Sequence, residues 1–190
     1  MALDGGEDWT LRDVLAGMVV PLPLQAIGQG SKDGLVLLRR IFASFSQAIV
    51  LIGVVVIVLY LTDSLGEASI DLVPAAAGLV LVSALLLTLA RVIPQPLDCS
   101  DPSTLAGYYR TRFFIRIACS EAPALLGFVA FILTNQPLLY VLGAAATMIG
   151  FMHAAPTTRN IDLDQEELSS RGCGISLVQA LRGPATGSSG

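Results

Sequence analysis

The sequence predicts an all-α polytopic membrane protein whose four transmembrane helices form two tandem helical hairpins, as a parallel repeat. Three observations lead to this prediction: an apolar composition, four long runs with little or no charge, and a polar pattern that recurs in the first and third runs. Of the 190 residues, 54% are hydrophobic and 14% are charged, whereas an ordinary soluble domain is about 25% charged. This composition excludes a soluble enzyme and a disordered chain.

Four runs of the chain are long enough to cross a bilayer, because a helix needs about 20 apolar residues to span about 30 Å of hydrocarbon. The first, second and fourth runs carry no charge, and the third contains Arg116 and Glu121. Every backbone polar group must be satisfied internally in lipid, so these runs are predicted to be helices despite their many β-branched residues. Their bounds are 41–62, 72–90, 113–134 and 137–155.

The distribution of basic residues predicts the orientation. All eleven Lys and Arg residues fall on one side of the four spans, and the connections at 63–71 and 135–136 contain none. By the positive-inside rule, we expect a protein of the cytoplasmic (inner) membrane with both termini in the cytoplasm. The predicted parts are a cytoplasmic N-terminal segment at 1–34, a first transmembrane hairpin at 35–93, a cytoplasmic loop at 94–111, a second transmembrane hairpin at 112–156 and a cytoplasmic C-terminal tail at 157–190.

Short signals outside the spans predict further local structure. Within 1–34, apolar residues recur at helical spacing from Leu11 to Met18, which favours a short amphipathic helix on the membrane surface or on the protein's own cytoplasmic face. Three prolines in 94–111 indicate a loop or linker. Asp164 and Glu167 have the spacing of a capping box at a helix start. The tail from 183 to 190 is rich in small residues and is expected to be disordered.

Little in the sequence indicates chemistry outside the membrane. Eleven basic against fifteen acidic residues give a net charge of −4, so the bulk charge provides no surface for nucleic acid. The cysteines Cys99, Cys119 and Cys173 are odd in number and widely spaced, and His153 is the single histidine. This pattern indicates neither a metal site nor a disulfide framework. Because no nucleophile–base pair or phosphate loop occurs, we expect no catalytic residue, no cofactor and no enzymatic activity.

The first and third spans carry an internal repeat. Residues 46–53 align with 120–127 at an offset of 74, and six of the fourteen positions in 46–59 are identical to those in 120–133. The alignment places Ser46 on Ser120 and Gly53 on Gly127. Because both halves enter the membrane from the same side, we expect them to be related by a pseudo-two-fold axis along the membrane normal.

Polar residues at matching depth form the candidate site. An ionised carboxylate such as Glu121 costs about 3 kcal/mol at the centre of a span, so we expect it to be protonated or to bind a cation. Gln47 occupies the same depth in the first span and can exchange hydrogen bonds with a protonated carboxyl. Ser46 and Ser120 add hydroxyl groups one residue earlier. The candidate ion-binding residues are therefore Glu121, Gln47, Ser46 and Ser120.

Pro123 lies two residues after Glu121 and predicts a kink in the helix of the third span. A proline in a helix removes an N–H donor and clashes with the carbonyl four residues earlier, which here belongs to Cys119. The freed carbonyl would be a further ligand for a proton or a cation.

Residues 116–129, with the sequence RIACSEAPALLGFV, resemble the ion-carrying helix of rotary ATPase proteolipids, subunit c. In that family a mid-membrane carboxylate, followed by small residues and a glycine, carries the translocated proton or sodium ion. A doubled four-span form with Gln47 in place of one carboxylate is similar in outline to V-type proteolipids. The resemblance covers about 22 of the 190 residues and implies that Glu121 is the ion-binding carboxylate, with Gln47 as an auxiliary ligand.

The second half as a whole looks like a group of small uncharacterised bacterial membrane proteins with four spans. Two functions are compatible with these features. In one, Glu121 is a carboxyl hydrogen-bonded between helices, and the protein is a non-enzymatic accessory or scaffold subunit of a larger membrane complex. In the other, Glu121 binds a proton or a monovalent cation, and the protein is an ion-translocating, proteolipid-like subunit. The second function favours a homo-oligomer, because four helices alone are too few to enclose a pathway for ions.

Overall fold

The computed structural model describes residues 9–10, 33–66, 70–92 and 97–183. These residues form α-helices and no β-strand. The helices, in chain order, are α1 (Gly34–Leu61), α2 (Leu72–Val92), α3 (Pro102–Thr134), α4 (Pro137–Ala154), α5 (Thr158–Ser170) and α6 (Leu177–Arg182).

The helices α1 to α4 are each long and apolar enough to cross a membrane. This finding confirms the all-α class, and four helices of sufficient length and apolarity coincide with the four predicted spans. With 33 residues, α3 is about 50 Å long and therefore exceeds the hydrocarbon thickness of about 30 Å. The arrangement of the spans as repeated hairpins stays a prediction.

The chain divides into two compact units. One unit, here called the terminal unit, comprises Met1–Ser46, Gln95–Phe114 and Ala155–Gly190. The other, here called the span unit, comprises Gln47–Pro94 and Ile115–Ala154. The long helices α1 and α3 contribute residues to both units.

The terminal unit has an apolar core of its own. Trp9 packs edge-on against Phe42, with ring centroids 6.2 Å apart. The α5 and α6 helices contact each other and contribute fully buried leucine and isoleucine side chains. Burial of these side chains stabilises the unit by about 2 kcal/mol for each large residue. The largest fully buried residues here are Phe42, Leu38, Leu105, Ile161, Leu168, Leu177 and Leu181.

The prediction of a loop over 94–111 is wrong from Pro102 onward, because α3 begins at that residue. Asp101 caps the helix: its carboxylate accepts hydrogen bonds from the N–H groups of Ser103 at 2.8 Å and Thr104 at 2.9 Å. A proline is well placed in the first helical turn, where its missing N–H would have no partner. The proline that indicated a linker therefore starts a helix.

The capping box predicted at Asp164 and Glu167 is also wrong. The α5 helix begins at Thr158, and the hydroxyl of its N-cap Thr157 accepts the N–H of Asn160 at 3.3 Å. Both acidic residues lie inside α5 and contact Arg112, whose Nη2 is 3.4 Å from an Asp164 oxygen and 3.2 Å from a Glu167 oxygen. Their spacing of three places them on one helix face, where they bind one guanidinium.

The expectation that the cysteines form no disulfide framework is wrong as well. Cys99 and Cys173 are joined by a disulfide across a sequence separation of 74 residues. The bond links the segment before α3 to the turn after α5, and both residues belong to the terminal unit. Cys119 is a free thiol, which explains the odd cysteine count.

Two predictions fall outside the described residues. The amphipathic helix was predicted around Leu11 to Met18, and the small-residue tail lies almost wholly at 184–190. Within the predicted tail at 157–190, α5 and α6 are ordered helices. The polar composition after Pro156 therefore reflects exposed residues of a helix, such as Arg159, Asp162 and Glu166 of α5.

The span unit has its own core as well. Val56 of α1 packs with Ala124 and Phe131 of α3 and with Tyr140 of α4, and all four residues are buried. The second span, α2, contacts α4 but buries only Leu79, Ser83 and Ala90. The buried core of this unit therefore joins α1, α3 and α4, whereas α2 contributes few buried residues.

Candidate functional site

The candidate site lies where α3 passes Glu121 and Pro123. Glu121 is half-buried, and Pro123 is buried inside the helix. A proline at this position removes one N–H from the helix ladder and leaves backbone groups of the preceding turn without their usual partners. In a membrane span, such groups need partners from a neighbouring helix.

Thr147 of α4 supplies hydrogen bonds at this point. Its hydroxyl oxygen accepts the N–H of Ala124 at 3.0 Å. The same hydroxyl donates to the main-chain carbonyl of Glu121 at 3.4 Å. With an exposed fraction of 1%, Thr147 makes these bonds away from lipid and water. Thr147 thus joins the backbone on either side of Pro123 to α4, and the Cys119 carbonyl as an ion ligand stays a prediction.

Close contact between backbones brings Thr147 into reach. A Cβ atom added to Gly143 of α4 would lie 2.3 Å from the carbonyl oxygen of Pro123. A Cβ atom on Gly127 of α3 would lie 2.7 Å from the carbonyl oxygen of Leu139. Glycine is therefore required at both positions for α3 and α4 to approach this closely, as is common for helices in membranes.

Ser120 is buried, with an exposed fraction of 1%, and packs against α4. A Cβ atom on Gly150 would lie 2.6 Å from both Cβ and Oγ of Ser120. The hydroxyl of this candidate residue therefore faces the α3–α4 contact. The small residue opposite is the reason that Ser120 fits there.

The candidate residues of the first span lie in α1. Ser46 is buried, and its hydroxyl donates to the carbonyl of Phe42 at 3.0 Å, one turn earlier in the same helix. Gln47 is half-buried. Among the residues that the structure describes, the hydrogen bonds of Glu121 reach its main chain and not its carboxyl group. No hydrogen bond thus joins the Glu121 carboxyl to Gln47 or Ser46 in the structure, and ion binding by these residues stays a prediction.

Tyr140 is a polar residue of the span unit that the sequence analysis missed. Its hydroxyl donates to the main-chain carbonyl of Ile49 in α1. Its ring edge is 3.3 Å from the position of a Cβ atom on Gly53. A single tyrosine within the otherwise apolar fourth run was the available signal, because a buried phenol needs a hydrogen-bond partner.

The chemistry available at this site is that of one carboxyl group. Glu121 can bind and release a proton, and its main-chain carbonyl accepts a hydrogen bond from the Thr147 hydroxyl. The described residues contain no cluster of three or more His, Cys, Asp or Glu side chains that could hold a metal ion. One carboxyl group of this kind suits either a neutral structural role or the binding of a proton or a monovalent cation.

Comparisons of the chain with protein-family models, with characterised proteins and with solved structures find no match. The resemblance of the third span to rotary ATPase proteolipids thus remains an interpretation of residues 112–133 alone.

Proposed function

We propose that this multi-pass membrane protein is a non-enzymatic accessory or scaffold subunit of a larger complex in the cytoplasmic membrane, with both termini in the cytoplasm. Four apolar helices are compatible with integral membrane insertion. The proposal concerns what those helices bind beyond lipid.

One contrast between two glycines carries the proposal. Gly143 of α4 lies against the backbone of α3, whereas a Cβ atom on Gly78 of α2 would meet no described atom within 4 Å. Gly78 ends the small-residue stretch Ala-Ala-Ala-Gly at 75–78. Small residues in membrane helices allow the close approach of another helix, and the described part of this chain supplies none at Gly78. A helix of another subunit would fit this face.

The remaining surface of α2 supports the same proposal. Val73 and Leu81 have exposed fractions of 77% and 71%. The protein thus presents one nearly whole span to its surroundings. A subunit whose role is to bind neighbouring spans needs such a helix, whereas a self-contained four-helix bundle does not.

The test compares Gly78→Leu with Val80→Leu, a control two residues away and therefore on the opposite helix face. Both variants are extracted from native membranes in mild detergent, and particle mass is measured by light scattering. We expect the wild type and Val80→Leu to form a particle larger than one chain. We expect Gly78→Leu to be a single chain. A wild type that is monomeric and unchanged by Gly78→Leu would contradict the proposal.

The second candidate function is proton or monovalent cation translocation by Glu121. The observation that favours it is the half-buried carboxyl, which accepts no hydrogen bond from the described residues. A carboxyl held between helices for structure alone should have such a partner. A closed ring made only of this chain in the mass measurement would favour translocation over the accessory function.

A further inference from the structure

A cavity of about 310 Å³ lies in the terminal unit beside the first turns of α1. This volume is at the lower end of the range of about 300–1,000 Å³ for small-molecule sites. Its walls combine apolar and charged side chains from α1, α5 and α6. The apolar residues are Leu35, Ile161 and Val178, and the charged residues are Arg39, Arg182 and Asp162.

The charged walls favour an anion with one negative charge. Two guanidinium groups and one carboxylate leave an excess of one positive charge in the cavity. Arg39 is buried, with an exposed fraction of 3%, and its guanidinium lies 5.3 Å from the ring centroid of Trp9. Arg182 lies in the last turn of α6 and is exposed. Guanidinium groups bind phosphate oxygens through paired N–H donors.

The place of the cavity along α1 indicates the source of that anion. Leu35 and Arg39 precede the uncharged run at 41–62 by only a few residues. With that run placed in the hydrocarbon layer, as the proposed function requires, the preceding turns lie at the level of the lipid headgroups. Basic pockets at this level bind anionic headgroups.

We propose that this cavity binds the phosphodiester headgroup of an anionic lipid. Arg39 and Arg182 bind the phosphate oxygens, and the apolar walls contact the glycerol and the first methylenes. Asp162 accepts a hydrogen bond from a headgroup hydroxyl, as in phosphatidylglycerol. A free phosphate with about two negative charges at neutral pH fits less well, because the Asp162 carboxylate would repel it.

Trp9 provides a local probe. It is the single tryptophan of the chain, and it contacts Arg39. The full-length protein in detergent is titrated with dioctanoyl-phosphatidylglycerol, dioctanoyl-phosphatidylcholine, glycerol 3-phosphate and inorganic phosphate, and the Trp9 fluorescence is recorded. We expect saturation with phosphatidylglycerol, at least tenfold weaker binding of the two soluble phosphates, and no saturable change with phosphatidylcholine, which has the same chains but no net charge.

Variants of one exposed arginine test the assignment without disturbing the buried Arg39. Arg182→Gln should weaken phosphatidylglycerol binding about fivefold, since one arginine near a charged headgroup contributes about 1 kcal/mol. Arg182→Lys should restore most of the affinity. Arg159→Gln, at an exposed arginine of α5 outside the cavity wall, should bind as the wild type does.

Three outcomes would overturn the proposal. Equal responses to phosphatidylglycerol and phosphatidylcholine would show that the headgroup charge is not recognised. Saturation by inorganic phosphate at the same concentration would assign the cavity to a soluble anion. Equal affinities of Arg182→Gln and Arg159→Gln would place the binding elsewhere.

Discussion

Thr147 and Ala124 are joined across the α3–α4 contact, where the Thr147 hydroxyl accepts the Ala124 N–H at 3.0 Å. Ala124 directly follows Pro123, which has no N–H to donate. The same hydroxyl donates to the Glu121 carbonyl. A side chain of α4 thus adds hydrogen bonds to the α3 backbone on both sides of Pro123, next to the side chain of Glu121.

Thr147→Val should destabilise the protein by about 1 kcal/mol. Valine keeps the shape of the side chain but loses its hydrogen bonds to the Ala124 N–H and the Glu121 carbonyl, and hydrogen bonds between membrane helices contribute up to about 1.7 kcal/mol. Unfolding in SDS titrations measures the change. Thr147→Ser keeps the hydroxyl and should stay close to the wild type. Equal losses in both variants would contradict a role for the hydrogen bond.

Gly143→Ala should destabilise the protein by about 2 kcal/mol, the typical cost of overpacking. The new methyl group would lie 2.3 Å from the Pro123 carbonyl oxygen, which belongs to the backbone and cannot rotate away. Gly78→Ala is the matched control, because its methyl group would meet no described atom within 4 Å. Thermal unfolding of the purified chain should separate the two variants. Equal melting temperatures would contradict the close contact of α3 and α4.

Glu121→Gln distinguishes the two candidate functions. The amide keeps the shape of the side chain and its hydrogen-bonding capacity but removes the titratable proton. If Glu121 translocates protons or cations, proteoliposomes with the wild type should show a flux that the variant abolishes. If the protein is an accessory subunit, the wild type should match empty liposomes and the variant should fold and assemble normally. A carbodiimide, which attacks protonated buried carboxyls, gives an independent readout of Glu121.

Asp101 should make the start of α3 sensitive to acid. Hydrogen bonds from the hydroxyls of Ser103 and Thr104, together with their N–H groups, hold the pKa of Asp101 well below its ordinary value of 3.8. Because the folded-state pKa is lowered, the stabilisation is fully present above the ordinary value and is lost as the pH falls towards the folded-state value. Hydrogen-exchange protection factors in the first turn of α3, which correct for the pH dependence of intrinsic exchange, should therefore fall below about pH 4.

Asp101→Asn is the control for that pH dependence. Asparagine is as good an N-cap as aspartate but does not titrate, so the protection factors in the first turn should stay constant between pH 5 and pH 3. The difference between the two proteins removes the contributions of other carboxyl groups. A variant with the same acid sensitivity as the wild type would show that Asp101 does not control this helix start.

The redox state of Cys99 and Cys173 tests the predicted orientation. Disulfides are rare in the cytosol, where thiol systems reduce them, so a cytoplasmic terminal unit should carry both residues as thiols in growing cells. Cys99 and Cys173 should form a disulfide when the cells are exposed to an oxidant, since the structure joins their sulfur atoms. Acid quenching followed by a mass-tagged maleimide measures the thiols, with Cys119 as the internal standard. A disulfide in quenched cells would place this unit outside the cytoplasm and reverse the orientation.

The sequence predicted the site only in part. It identified Glu121 and Pro123, because a charge and a proline stand out in an apolar run. It did not identify Thr147, since one threonine among small residues in a span has no distinguishing local pattern. The contact depends on Gly143, which allows α4 to approach α3, and that approach is a property of two surfaces rather than of one segment.

The same distinction holds for the whole molecule. The sequence by itself determined the helical class and the four spans, because crossing hydrocarbon requires an uninterrupted apolar run with its backbone bonded internally. Only the tertiary structure decided that Asp164 and Glu167 bind Arg112 instead of capping a helix, and that Cys99 joins Cys173. Local composition restricts the backbone of one segment, whereas the partner of a side chain depends on which distant segment packs against it.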